Sequence, residues 1–69
     1  MDTLLRHQIG SHAGIVYRVL VDNPGSTASA VRKVTGLNNR EVDMALGWLA
    51  HEAKLTCERD GRMTRYTVT

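Results

Sequence analysis

A chain of 69 residues makes one small domain, too short for a catalytic cleft walled by two subdomains. Nine Lys and Arg against seven Asp and Glu leave a net charge of +2, a mildly basic balance that permits anion binding without demanding it. A lone cysteine, Cys57, excludes an intrachain disulfide and points to a reducing cytoplasm; no apolar run reaches the ~18 residues of a membrane span, and Met1–Ile9, broken by Asp2, Arg6 and His7, lacks a signal-peptide pattern.

Phe is absent, so the core is expected to be aliphatic, with Tyr17, Trp48 and Tyr66 as its large rings. Charge is unevenly placed. Residues 1–26 balance, 27–36 carry Arg32 and Lys33 unopposed, 37–54 hold a surplus acid and 55–69 a surplus base. No repeat, low-complexity tract or linker divides the chain, so a single domain over residues 1–69 is expected.

The first helix is predicted over Ser11–Val21, with Gly10 or Ser11 near its cap. Ile9, Ala13, Val16 and Leu20 recur at i, i+4, i+7 and i+11, one stripe of a helix, which Ile15 and Val19 widen. Asp22–Asn23–Pro24–Gly25 is turn punctuation. Thr27 is a good N-cap for a second helix ending at Thr35, with Ala30, Val31 and Val34 inward and Arg32 and Lys33 outward. Gly36 ends it in a left-handed conformation, and Leu37 buries in the turn. Asn38 caps a third helix, Asn39–Ala53. Glu41 completes a capping box there, and Leu37 with Val42 brackets it as a hydrophobic staple. At 100° per residue Val42, Ala45, Leu46, Leu49 and Ala53 form its buried stripe, and Arg40, Met44, Gly47 and His51 the outward one.

A β-hairpin follows over Leu55–Val68. Asp60–Gly61 is a preferred pair for a two-residue type I′ turn. Pairing about it sets Arg59 opposite Arg62, Cys57 opposite Thr64 and Leu55 opposite Tyr66. Alternation then turns Leu55, Cys57, Thr64, Tyr66 and Val68 to one face, toward the helices, and makes Cys57 a small core residue rather than a nucleophile. The facing arginines repel mildly; a phosphate between them would relieve this, and so would solvent screening with Asp60 nearby.

Helix, three-residue turn, helix and hairpin in that order is the order of a winged helix, an α+β helix-turn-helix fold that suits duplex DNA. On that reading the third helix enters a major groove with Asn39, Arg40 and Met44 in its leading half. Arg40 suits guanine and Asn39 adenine. Arg59, Arg62 and Arg65 on the wing meet phosphates or the minor groove, and Arg32 and Lys33 touch the neighbouring backbone. Against DNA stand Glu41 and Asp43, which favour the helix dipole but would meet phosphates badly, and which equally hold Arg40 as a solvated neighbour. Trp48 lies off the buried stripe. It either covers the core edge or joins Tyr17 or Met44 in a homodimer contact.

Other chemistry finds no footing. His7 and His12 at i, i+5 do not share a helix face, and His51 and Cys57 have no metal-ligand companion. No nucleophilic triad, phosphate loop or carboxylate pair stands out, so no enzyme, cofactor, metal, membrane partner or small-molecule substrate is implied.

The residues Ile9-Gly10, Ala13-Gly14, Tyr17, Leu20, Thr35-Gly36-Leu37 and above all Ala45-Leu46-Gly47-Trp48-Leu49-Ala50 resemble the small winged helix-turn-helix domains of bacteria and archaea once filed as a domain of unknown function. The match spans about residues 8–68. The resemblance implies a three-helix winged fold, a presumed nucleic-acid-binding role, and neither catalytic residue nor cofactor. Similar small members are expected to include dimers. A short strand at Ser26 is expected by the same analogy. The expected function is duplex DNA binding by a small transcriptional regulator, as a homodimer through Tyr17 and Trp48. The alternative is a protein–protein interaction module on the same fold.

Overall fold

The computed structural model describes residues 2–69. Helix α1 runs Thr3–Asp22, starting two turns ahead of the expected Ser11. The Asp2 carboxylate is the true N-cap and accepts from the Leu4 N–H at 2.8 Å. Gly10 and Ser11, which look like a helix start, lie inside. The stripe Ile9, Ala13, Val16, Leu20 is buried as expected. Val19 packs on the core edge, but Ile15 is 43% exposed, because its side chain projects far to one side of that stripe. Asn23 ends α1 by donating both its backbone N–H and its side-chain amide to the Val19 carbonyl, at 2.8 and 3.0 Å.

A two-residue strand β1, Ser26–Thr27, leads into α2, Ala28–Thr35. The Thr27 hydroxyl accepts from the Ala30 N–H at 3.2 Å, and Gly36 closes the helix at φ 74°. The inward line differs from the expected one. Val31 is buried, but Ala30 is exposed and Val34 is 65% exposed. Ala28, Val31 and Thr35 face in instead, at i, i+3 and i+7. Two turns of helix carry too few apolar residues to define an angle, and the contact with α1 and α3 decides it.

Helix α3, Asn39–His51, has the full capping box: the Glu41 N–H donates to Asn38 Oδ1 at 2.8 Å and the Asn38 N–H to Glu41 Oε1 at 3.0 Å. Leu37 is half-buried against the core beside the buried Val42. The helix ends before Ala53, which is exposed rather than part of the buried stripe. The Lys54 N–H reaches the Leu49 carbonyl at 2.9 Å and the Ala53 N–H reaches the Ala50 carbonyl at 3.0 Å, a Schellman closure with Ala53 at φ 56° where glycine is usual. An alanine held there costs about 1–2 kcal/mol. Ala53→Gly is therefore expected to stabilise the fold by up to about 1 kcal/mol in urea denaturation; a loss of stability would refute the closure.

Strands β2, Leu55–Asp60, and β3, Met63–Val68, form the hairpin, and the antiparallel sheet runs β1-β3-β2. The register corrects the expected one by two residues. Asp60 pairs with Met63, Arg59 with Thr64, Glu58 with Arg65, Cys57 with Tyr66 and Leu55 with Val68. The two-residue turn is Gly61–Arg62, with positive φ at Gly61 (63°) and not at Arg62, the II′ pattern. A I′ turn at Asp60–Gly61 would force positive φ on Asp60 and face Arg59 with Arg62; the observed register instead sets Glu58 across from Arg65. A shift of two preserves the faces. Leu55 is buried, and Thr64, Tyr66 and Val68 are half-buried. Cys57 shares that face but is exposed, lining an open groove of about 300 Å³ that the small Gly47 and Ala50 of α3, beside Asp43 and Leu46, do not fill.

Val16, Leu20, Val31 and Val42 are the largest fully buried side chains, with Ala45, Leu46, Leu49 and Leu55 around them. One aliphatic core thus joins all three helices to the hairpin. Among the described residues no helix is long and apolar enough to cross a membrane.

Candidate nucleic-acid interface

The capping box closes the first turn of α3, with Asn39 and Arg40 exposed on it. Met44 is only half-exposed. It turns toward α1 and shares a groove of about 280 Å³ with Arg40, Leu5, Ile9 and His12. The Glu41 carboxylate, which opposed a phosphate in the sequence reading, is occupied. One oxygen takes the Asn38 N–H and the other lies 3.8 Å from His12 Nε2. Asp43 stays exposed, and with Gly47 and Ala50 it fills the side of α3 that looks across the groove to the hairpin. No arginine lines that groove.

On α2, Lys33 is exposed and Arg32 half-buried. The wing divides its three arginines. Arg59 and Arg62 are exposed, with Arg59 opposite Thr64 and Arg62 at the tip of the turn. They do not face each other, so no like-charge pair awaits a phosphate. Arg65 is engaged: its Nε donates to Asp60 Oδ2 at 3.0 Å and an Nη donates to the Gly25 carbonyl at 3.2 Å. This guanidinium ties the wing to the turn before β1.

Trp48 and Tyr17 are both half-buried and both pack on the core edge. Their outer surfaces wall a groove of about 440 Å³ between α1 and α3, floored by Gly10, Ala13 and Gly14 and rimmed by Arg18, Glu52 and Lys54.

Helix, turn, capped helix and wing, with β1 paired to the outer edge of the hairpin, complete a winged helix-turn-helix. A family model described as "Winged helix-turn-helix domain (DUF2582)" matches residues 4–67. The chain belongs to this family. No curated protein matches it by sequence. The solution NMR structure of protein BT2368 from Bacteroides thetaiotaomicron is similar, with a TM-score of 0.85 and 25% identity over 91% of this chain and 77% of that one. A structure of HOP2, described in terms of its DNA recognition and protein interaction domains, is also similar, with a TM-score of 0.71 and 30% identity over 84% of this chain and 98% of that one.

Membership in DUF2582 makes this an α+β winged-helix fold, of a kind that supports nucleic-acid binding or protein interaction, and such domains are typically binding modules rather than catalysts. Two features of this DUF2582 chain lay beyond sequence reasoning. The Arg65–Gly25 bond joins positions forty residues apart, and the His12–Glu41 contact links α1 to the cap of α3. His12 lies one position before the buried Ala13, which is the only sequence signal for the second.

Proposed function

We propose that this domain binds duplex DNA as a small transcriptional regulator of the cytoplasm, with α3 in the major groove and the wing against the backbone. The observation that carries the reading is the distribution of free cations on a winged helix. Arg40 is exposed in the first turn of α3, while Arg59 and Arg62 are exposed on the wing with no acid paired to them among the described residues. Asn39 and Arg40 are the base readers, Met44 gives an apolar flank, and Lys33 with Arg32 meets the backbone beside α2. The likeness to HOP2, whose structure concerns DNA recognition, supports the same direction. The active form is a homodimer in contact through Tyr17 and Trp48.

The test is a titration of duplex DNA across salt concentrations, followed by fluorescence anisotropy. Log K is expected to fall linearly with log salt, at a slope of about −0.9 for each phosphate neutralised. Absence of binding at 50 mM salt would overturn the proposal.

One observation favours a second reading. Asp43, Gly47 and Ala50 give the middle of α3 an exposed face that is small and acidic, unlike a groove-reading helix and closer to one that receives another protein. Winged helices serve both ends. A domain silent toward DNA at low salt leaves this interaction module as the standing alternative.

A further inference from the structure

The two edges of the sheet differ. On one side β1 is two residues long and passes straight into α2. On the other, β2 runs from Leu55 to Asp60, and among the described residues no strand pairs with its outer side. Its pairing with β3 continues without a bulge, and it holds neither proline nor lysine, devices that commonly blunt such an edge. The register decides which main-chain groups are open. The Thr69 N–H donates to the Lys54 carbonyl at 3.1 Å, so Thr56, Glu58 and Asp60 bond to β3 in the same phase. The N–H and C=O of Leu55, Cys57 and Arg59 therefore point outward. By alternation these residues also share the face toward α3. There the groove of about 300 Å³ lies, with Leu55, Cys57 and Tyr66 on the sheet side and Leu46, Gly47 and Ala50 on the helix.

We propose that β2 accepts an extended, basic segment of a partner protein as a further antiparallel strand, with apolar side chains of that segment set into the groove against α3. Edge and groove serve one another. Main-chain bonds at Cys57 and Arg59 hold the added strand, and the groove on the same face receives every second side chain. Gly47 leaves room for small branched residues, since a Cβ there would meet nothing within 4 Å. Charge selects the partner. Asp43 on the groove wall and Glu58 on the opposite face of β2 are exposed acids with no ion pair among the described residues, whereas Asp60 is held by Arg65. Arg59, the one base of β2, stands beside the turn. A basic segment thus meets acid on both faces of the edge. The inference rests on the interaction-module reading of α3 and adds to it the partner's conformation and charge.

NMR titration of the full chain, without DNA, with the hexapeptide acetyl-Lys-Val-Lys-Val-Lys-Val-amide tests it. In the free protein the Cys57 and Arg59 amides are expected to exchange faster than those of Thr56 and Glu58, and saturating peptide to slow them at least about tenfold. The analogue with glutamate in place of lysine is expected to bind about tenfold more weakly, and Asp43→Lys with Glu58→Lys, both at exposed positions, to reverse that order. Cys57→Pro deletes an outward N–H that the hairpin does not use and is expected to abolish the protection. Should that variant fail to fold, the lysine peptide N-methylated at its valines makes the same test on wild type. Shifts at Asp43, Gly47 and Ala50 without slower exchange at Cys57 and Arg59 would overturn the added strand while leaving α3 as a protein-binding face. Silence at every residue would overturn the proposal and leave α3 without a partner of this kind. Equal affinity for the methylated peptide would overturn it as well. So would Cys57 and Arg59 amides whose exchange slows with the concentration of the free chain, the sign of a second copy on the edge.

Discussion

Leu20→Ala is expected to remove about 2–5 kcal/mol of folding stability. The side chain is fully buried in the last turns of α1, in a core it shares with Val16, Val31 and Val42. Truncating such a leucine costs about 2–5 kcal/mol, the transfer of its methyls plus the cavity left behind. A domain of this length holds roughly 3–10 kcal/mol in all, so one substitution consumes a large part of it. Leu4 supplies the control, being 67% exposed on the same helix, and Leu4→Ala is expected to stay within about 0.5 kcal/mol of wild type. Urea denaturation followed by far-UV circular dichroism separates the two. A Leu20→Ala variant within 1 kcal/mol of wild type, on the scale of the costs above, would mean that α1 is not anchored through this stripe.

The contrast between Leu20 and Leu4 also shows what could be read without coordinates. Periodicity made the buried stripe of α1 legible because a 3.6-residue repeat survives any error in the helix ends. The start did not survive. Gly10–Ser11 mimics a cap, while Asp2, the side chain that performs the task, sits at the edge of the chain where no periodic pattern precedes it. The same division runs through the hairpin. Alternation assigned Leu55, Tyr66 and Val68 to the covered face, and a shift of two residues cannot undo that. Cross-strand partners depend on the turn, and Asp60–Gly61 and Gly61–Arg62 are both chemically acceptable turns. The Glu58–Arg65 pairing and the bond from Arg65 to Gly25 favour the second, and the latter is tertiary. In α2 the cap at Thr27 and the stop at Gly36 were legible because each is local chemistry. The inward angle was not, since it belongs to the helices packed around it.

The candidate interface divides along the same line. That α3 exposes Asn39 and Arg40 follows from amphipathicity alone. That Met44 turns toward α1, that the second oxygen of Glu41 faces His12, and that Arg65 is bound while Arg59 and Arg62 are free all depend on neighbours distant in sequence. Charge counting treats the three wing arginines as equal, and geometry does not.

This inequality sets the second large effect. Arg59→Ala with Arg62→Ala is expected to lower the salt slope of DNA binding by about 1.8, two phosphate contacts at about 0.9 each, and to weaken binding at 50 mM salt on the order of tenfold to a hundredfold. Both side chains are exposed, so the fold is expected to persist, and an unchanged circular dichroism spectrum checks this. Arg65→Ala removes the same charge but a different task. Its guanidinium already serves Asp60 and the Gly25 carbonyl, so the slope is expected to hold while the wing loosens from β1, visible as faster exchange of the Gly25 amide, which donates to the Tyr66 carbonyl at 3.0 Å. If the double variant keeps the wild-type slope, the wing leaves the interface and α3 must bind alone. If Arg65→Ala lowers the slope as far as the pair does, Arg65 exchanges Asp60 for a phosphate on binding, and the division of the wing into contact and anchor is wrong.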